Sequence, residues 1–300
     1  ALAGGGLKVA DDNRTQYLLF LGEGEITRFV DVVDKNWDAL SAEPTKTTDE
    51  PAKKKSAKKE KAEAKAAVPP EVGKAVVQLL DGGKAADLAL FGRMLADLPE
   101  KNRDAACQVA HSISTNKIHS MEMDYYTAVD DLKPTDTAGA DMIGTVEFNS
   151  ACFYRYANLD LGQLRKNLQN DDELVRKTAD AFLRAFIHAI PTGKQNSFAA
   201  HNPPSLVFAV VRSGTPVSLA NAFVKPITPR GEESLVGKSI TELDRYYGQV
   251  VKMYGDGGLR KSAVCQLETT TLSNMKEDVG SVDNLIDVVI DAAFDGKEGA

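Results

Sequence analysis

The sequence predicts an α+β fold, and three observations lead there. Apolar residues recur at helical spacing in some stretches, alternate strictly with polar residues in others, and the two kinds of stretch follow one another without the regular β-α-β rhythm of a parallel sheet. A small antiparallel sheet with helices on one side accommodates that pattern. The 300 residues, 43% of them apolar, suffice for one large or two medium domains.

The opening ALAGGGLKVADDNRTQ has no basic segment followed by an apolar one, and no run approaches the roughly 18 apolar residues of a membrane span. A soluble, cytoplasmic protein is expected. The chain starts without Met in a Gly-rich stretch, so an amino-terminal part of the natural protein is expected to be missing. GEGEITRFVDVVDKNWDALS, residues 22–41, sets Ile26, Phe29, Val30, Val33 and Trp37 at helical spacing. PPEVGKAVVQLLDGG, 69–83, is a helix opened by Pro and closed by Gly. NRDAACQVAHSIST, 102–115, repeats Ala106, Val109, Ala110 and Ile113 and predicts a third helix, with His111 off its stripe. Further helices are predicted in 160–170, 171–190, 241–255 and 282–294, and strands in 205–213 and 262–269.

Between these lie two arms of period two. In 118–131, Met121, Met123, Tyr125, Thr127 and Val129 alternate with Ser120, Glu122, Asp124 and Tyr126. In 144–156, Val146, Phe148, Ser150, Cys152, Tyr154 and Tyr156 alternate with Thr145, Glu147, Asn149 and Arg155. The loop LKPTDTAGADM joins them, which is the signature of a long β-hairpin. Such a hairpin is marginal alone and needs a sheet at its base or a partner at its tip.

The formal charge of −7 hides an asymmetry, because residues 53–65, KKKSAKKEKAEAK, hold seven Lys against two Glu and leave the remainder more acidic. Nucleic-acid binding through the whole surface is disfavoured by that balance. The Lys run sits in Pro-flanked, aromatic-free low complexity and reads as a solvated, disordered insertion rather than a nucleic-acid arm. Cys107, Cys152 and Cys265 form no pair or metal-ligand spacing and are expected to be buried, inert thiols.

Enzyme motifs are weak. GEGE at 22–25 lacks the third Gly of a dinucleotide loop, TGKQ has neither the upstream Gly nor the following Ser or Thr of a phosphate loop, and no H-E-x-x-H or G-x-S-x-G occurs. No cofactor or metal is expected. His188, in AFIHAI, and His201 leave one catalytic alternative, an RNA-processing endoribonuclease using histidine with Asp180, against the blander reading of a core or helix-end histidine.

At ALFGRM, at DYYTAVDDL followed by GTVEFNSACFYRYANLDLGQL, and at PTGKQNSFAAHNPPSLVFAVVRSGTPVSLANAFVKPI, the chain resembles the CasC-type backbone subunit of the type I-E Cascade CRISPR surveillance complex, over about residues 15–265. The resemblance implies a modified RNA-recognition-motif (ferredoxin-like) palm, an inserted helical finger domain and a hairpin thumb. Residues 1–110 would be mainly finger, with the Lys-rich insertion near 43–70, and 111–300 the palm, with the thumb at about 118–157. Nothing in residues 1–20 matches the family's first palm strand and its basic segment, so that strand is expected to be missing from the chain. The implied function is non-catalytic binding of a guide RNA (crRNA), along which copies stack as a helical filament with other Cascade subunits and present the guide to target DNA. Carried onto this sequence, the RNA-binding residues are Arg93 and Met94 of FGRM, the wedge Tyr126 with Thr127, the backbone donors Lys194 and Gln195, and the basic Lys225 and Arg230. Tyr125 faces the other way by alternation.

Overall fold

The computed structural model describes residues 1–3, 5–9, 14–41, 68–118, 122–126 and 144–294. The Lys-rich run, the expected hairpin loop and Thr127 lie outside the described residues. The chain forms two compact units, Ala1–Val109 with Ala157–Phe182, and Ala110–Tyr156 with Leu183–Ala300. Residues 157–182, grouped with the second region in the sequence reading, pack with the first.

In the first unit, α1 (Glu23–Lys35) and α2 (Trp37–Ser41) are followed by α3 (Pro70–Leu79) and α4 (Ala86–Phe91). Gly22 supplies no capping side chain, and the Glu25 carboxylate compensates by accepting from the Gly22 N–H at 3.1 Å. Glu23 and Glu25 in the first turn and Lys35 in the last complement the helix dipole. Pro70 opens α3 at the position where its missing N–H costs nothing. The turn beyond it runs through Gly82 and Gly83 at φ +74° and +52°. Leu7, Leu80, Leu95 and Leu98 form one apolar cluster, and Val72, Val76, Leu164 and Val175 are fully buried.

The helix expected over 102–115 is replaced by two short strands, β1 (Cys107–Val109) and β2 (Ile113–Ser114). Small residues at 106 and 110 made the spacing compatible with either period. The decision falls to non-local partners, since β1 pairs antiparallel with β6 (Ala157–Leu159) and β2 with β5 (Phe153–Tyr154). Asp160 then caps α5 (Leu161–Asn167) by accepting from the Gln163 N–H at 2.9 Å, and α6 (Asp172–His188) follows.

The second unit is built on β7 (Leu206–Arg212) paired antiparallel with β8 (Leu259–Gln266), with α8 (Leu235–Tyr254) and α9 (Val282–Phe294) packed around them. Its core holds Leu219, Phe223, Ile227, Leu243, Tyr247, Val264 and Met275. Phe208 of β7 meets Tyr247 of α8 edge-on at 4.9 Å, and Tyr154 of β5 meets Phe223 at 5.6 Å. Strand β3 (Glu122–Tyr126) pairs with β4 (Gly144–Phe148), so the named strands among the described residues pair two by two in four antiparallel ladders. The second arm of the expected hairpin, 144–156, therefore holds two strands, β4 and β5, each with its own partner, and β6 follows it. Among the described residues no helix is long and apolar enough to cross a membrane.

All three cysteines are free. Cys107 and Cys265 are buried, and burial pushes both thiols up, which keeps them protonated and unreactive at neutral pH. Cys152 is only half-buried.

Asp244 is a buried carboxylate that organises the loop after β8. It accepts from the backbone N–H groups of Ser273, Asn274 and Met275 at 2.8–3.0 Å and from the Asn274 amide at 3.0 Å. Gly248, one turn along α8, leaves room for Asn274, whose Oδ1 would lie 2.3 Å from an added Cβ. Burial alone raises the Asp244 pKa, and the three backbone donors more than offset it, so the carboxyl titrates below its ordinary value. A depressed pKa stabilises the fold above the unfolded-state value of about 3.9, and that contribution is lost as pH falls through the lower folded-state value. Asp244→Asn is expected to cost about 2–3 kcal/mol at pH 7 and to flatten the acid limb of the stability curve, read by urea unfolding between neutral and acid pH.

Candidate nucleic-acid interface

In the first unit the site is the FGRM segment. Gly92 closes α4 by donating to the Leu88 carbonyl at 3.0 Å and adopts φ +75°, where a Cβ would meet the Arg103 carbonyl oxygen at 2.7 Å. This turn delivers Arg93 into a two-residue antiparallel bridge with Arg103. Extended backbone alternates its side chains. Arg93 and Leu95 point inward, and Met94 between them is 80% exposed.

Arg93, expected among the RNA contacts, turns its guanidinium inward. Its side chain is 1% exposed and that of Glu25 is 2%. Nη1 of Arg93 donates to both Glu25 oxygens, at 3.0 and 2.8 Å, and to the Phe20 carbonyl at 3.2 Å, while Nη2 donates to the Leu80 carbonyl at 3.1 Å. Glu25 also accepts from the Gly82 N–H at 2.6 Å. Residues 20–22, α1, the turn after α3 and the FGRM bridge thus converge on one ion pair. Met94 stands over an open groove lined by Tyr17, Leu18, Leu7 and Leu95, with Lys8 and Asp97 at its polar side. Lys8 donates its backbone N–H to Asp97 at 3.2 Å, and its ammonium lies 3.8 Å from the same carboxylate.

Of the remaining expected residues, Tyr126, Lys194, Gln195, Lys225 and Arg230 fall in the second unit. The register sets Tyr126 opposite Gly144, Tyr125 opposite Thr145 and Met123 opposite Glu147. Met123 and Tyr125 are exposed, whereas Val146 and Phe148 of the partner strand are half-buried. Phe148 meets Phe198 at 5.1 Å, which fastens the short helix α7 (Gln195–Phe198) to the arm. Lys194 caps α7 at φ +60° and Ala199 ends it at φ +45°, two left-handed residues that each cost roughly 1–2 kcal/mol. The Gln195 amide supports that loop, donating to the Pro191 carbonyl at 2.7 Å and accepting from the Ala200 N–H at 2.8 Å. Gln195 shapes the loop with the groups expected to grip RNA, and the exposed Lys194 is left as its cation.

Lys225 and Arg230 flank Ile227, which is buried and donates its N–H to the Thr115 carbonyl at 2.8 Å beside the first arm. The Asn116 side chain in turn accepts from the Cys152 N–H at 3.1 Å across the two arms. Lys225 and Arg230 are exposed, and neither side chain has an ion-pair partner among the described residues. His188 is the exposed last residue of α6, His201 is exposed, and no group of metal-ligating side chains occurs among the described residues.

A family model described as CT1975-like protein matches residues 1–291. The chain belongs to that family. The fold of this CT1975-like protein is similar to a chain of a structure described as "CRISPR RNA-guided surveillance complex, pre-nicking", with a TM-score of 0.74 and 28% identity over 97% of this chain and 77% of that one. It is also similar to a chain of a "CRISPR RNA-guided surveillance complex", with a TM-score of 0.60 and 34% identity over 70% of this chain and 78% of that one. No curated protein matched it.

Two contributors escaped the sequence reading. Phe198 is an apolar residue inside a polar run, GKQNSFAAHNP, and that isolation was its signal. Glu25 stands three residues after Gly22, the spacing of a carboxylate that returns to a helix start. Glu25→Gln removes the charge that Arg93 faces and is expected to cost about 3–5 kcal/mol in chemical unfolding. Met94→Ala, at an exposed position, should leave stability within about 0.5 kcal/mol of the unmutated protein.

Proposed function

We propose that this protein is a non-catalytic guide-RNA-binding subunit that oligomerises along the guide, forms the helical backbone of a type I-E Cascade surveillance complex in the cytoplasm, and presents the guide for pairing with target DNA. The observation that carries the reading is the likeness of 97% of the chain to a chain of a CRISPR RNA-guided surveillance complex. In this reading the second unit supplies a modified RNA-recognition-motif palm and its thumb, and the first supplies the finger.

The mechanism is grip without sequence readout. Lys194, Lys225 and Arg230 meet phosphates, which every sequence shares, and specificity is left to the guide's own base pairing. Met94 is an exposed, deformable apolar surface for an unstacked base or ribose. Tyr126 and Thr127 act as the wedge between bases, where a filled gap offsets part of the few kcal/mol of unstacking.

The test is the full-length protein with its guide. The purified protein is expected to carry intact, uncut RNA. Replacing Lys194, Lys225 and Arg230 together by Ala removes three phosphate contacts per copy, and the slope of log affinity against log salt is expected to shrink by about 2, at roughly 0.7 per phosphate on a single strand. An unchanged slope would remove these cations from the interface, and cleavage of the RNA would return the histidine-dependent nuclease to the front.

A further inference from the structure

Helix α1 carries an apolar stripe on its outer side. Ile26 and Val30, one turn apart, and Trp37 at the start of α2 are all exposed, Trp37 by 61%. Glu23 and Asp34 lie one turn before and after that pair, with Asp31 on the adjoining row. All three carboxylates are exposed and have no ion-pair partner among the described residues. This is an apolar stripe with an acidic margin.

The second unit carries its chemical complement. The carboxyl end of α8 exposes Met253 and Tyr254, each by 76%, and Gly255 at φ +78° turns the chain back toward β8. There Leu259 pairs with Arg212 at the irregular end of the β7–β8 ladder. Tyr254 is two turns beyond Tyr247, which packs on Phe208 of β7, so it emerges at the same end of the ladder. Arg212, Lys252 and Arg260 are exposed there without a salt bridge among the described residues, near the exposed Asp256, while Glu277 is taken up by Lys261. This is an apolar cluster with a basic margin.

We propose that the two surfaces are the halves of one head-to-tail interface, in which the acidic stripe of α1 in one copy seats on the basic end of β7, β8 and α8 in the next. The inference rests on the reading of the chain as a filament subunit and names the contact that reading needs. Two different patches on one chain that complement each other make a heterologous contact, which propagates as a ring or helix instead of closing a dimer. Exposed Trp, Tyr and Met with charges at the rim are the composition of protein interfaces. Phosphate is the other partner a basic cluster takes, but it leaves the acidic stripe of α1 unpartnered.

The test is a reciprocal charge reversal in the full chain with its guide RNA, read by mass photometry and by sedimentation at low and high salt. Asp31→Lys with Asp34→Lys, and separately Arg212→Glu with Arg260→Glu, should each weaken assembly about tenfold or more. Mixing the two variants should restore it, because an alternating array pairs opposite charges at every contact while each variant alone repels itself. Thermal melting controls for folding of each variant. Variants that assemble like the unmutated chain, or a mixture that stays unassembled, overturn the interface while the filament reading stands. An unmutated chain that fails to assemble on guide RNA overturns the filament reading itself. Loss of guide by the Arg212/Arg260 variant that the other variant does not rescue makes RNA the occupant and overturns the proposal.

Discussion

A carboxylate and a guanidinium buried together, Glu25 and Arg93, set the terms for the first unit. Neither charge is tolerable alone in an apolar interior, so the pair depends on the further partners around it, which take up both Nη atoms of Arg93 and leave only its Nε without one. Glu25 accepts from the backbone N–H groups of Gly22 and Gly82 as well as from Arg93, and Arg93 donates to the carbonyls of Phe20 and Leu80. The start of α1, the turn after α3 and the bridge after α4 are thereby fixed against one another. The functional consequence is at the next residue. With Arg93 committed inward and Leu95 buried, the alternation of extended backbone leaves Met94 in solvent at a defined place on a rigid support.

The second unit solves a related problem by dividing a ladder. A long two-stranded hairpin has little to bury, and here its arms pair in separate short stretches. Each break is used. Asn116 spans the two arms next to the segment carrying Lys225 and Arg230, and the Phe148–Phe198 contact brings in the loop carrying Lys194. The cations thus sit on segments anchored by buried or aromatic neighbours, which limits the entropy lost when they meet a partner.

Local pattern made much of this legible. Pro70 and Gly82 bounded α3, Asp160 marked the start of α5, and the apolar runs at 206–212 and 262–266 lie in strands. What local pattern could not show was choice of partner. Residues 102–115 fit a helix until residues 153–159 are available to pair with them. Arg93 was expected among the RNA contacts from the resemblance at FGRM, and a glutamate 68 residues earlier turns its guanidinium inward. Gln195 was expected as a backbone donor to RNA, and its amide is occupied by its own loop. The helical spacing of α1 is present in the structure, and Ile26, Val30 and Trp37 of that stripe are exposed to solvent.

In the proposed function the ion pair supports Met94 against a guide RNA, and the hairpin base is a second, separately built contact. Photo-crosslinking of the full-length protein to a thiouridine-substituted guide, followed by peptide mapping, tests this most directly. Crosslinks are expected on the peptide containing Met94 and on the peptides of β3 and of residues 194–230. Glu25→Gln should reduce the first and leave the others. Crosslinks confined to other surfaces, or a Glu25→Gln protein whose Met94 peptide crosslinks as before, would contradict it.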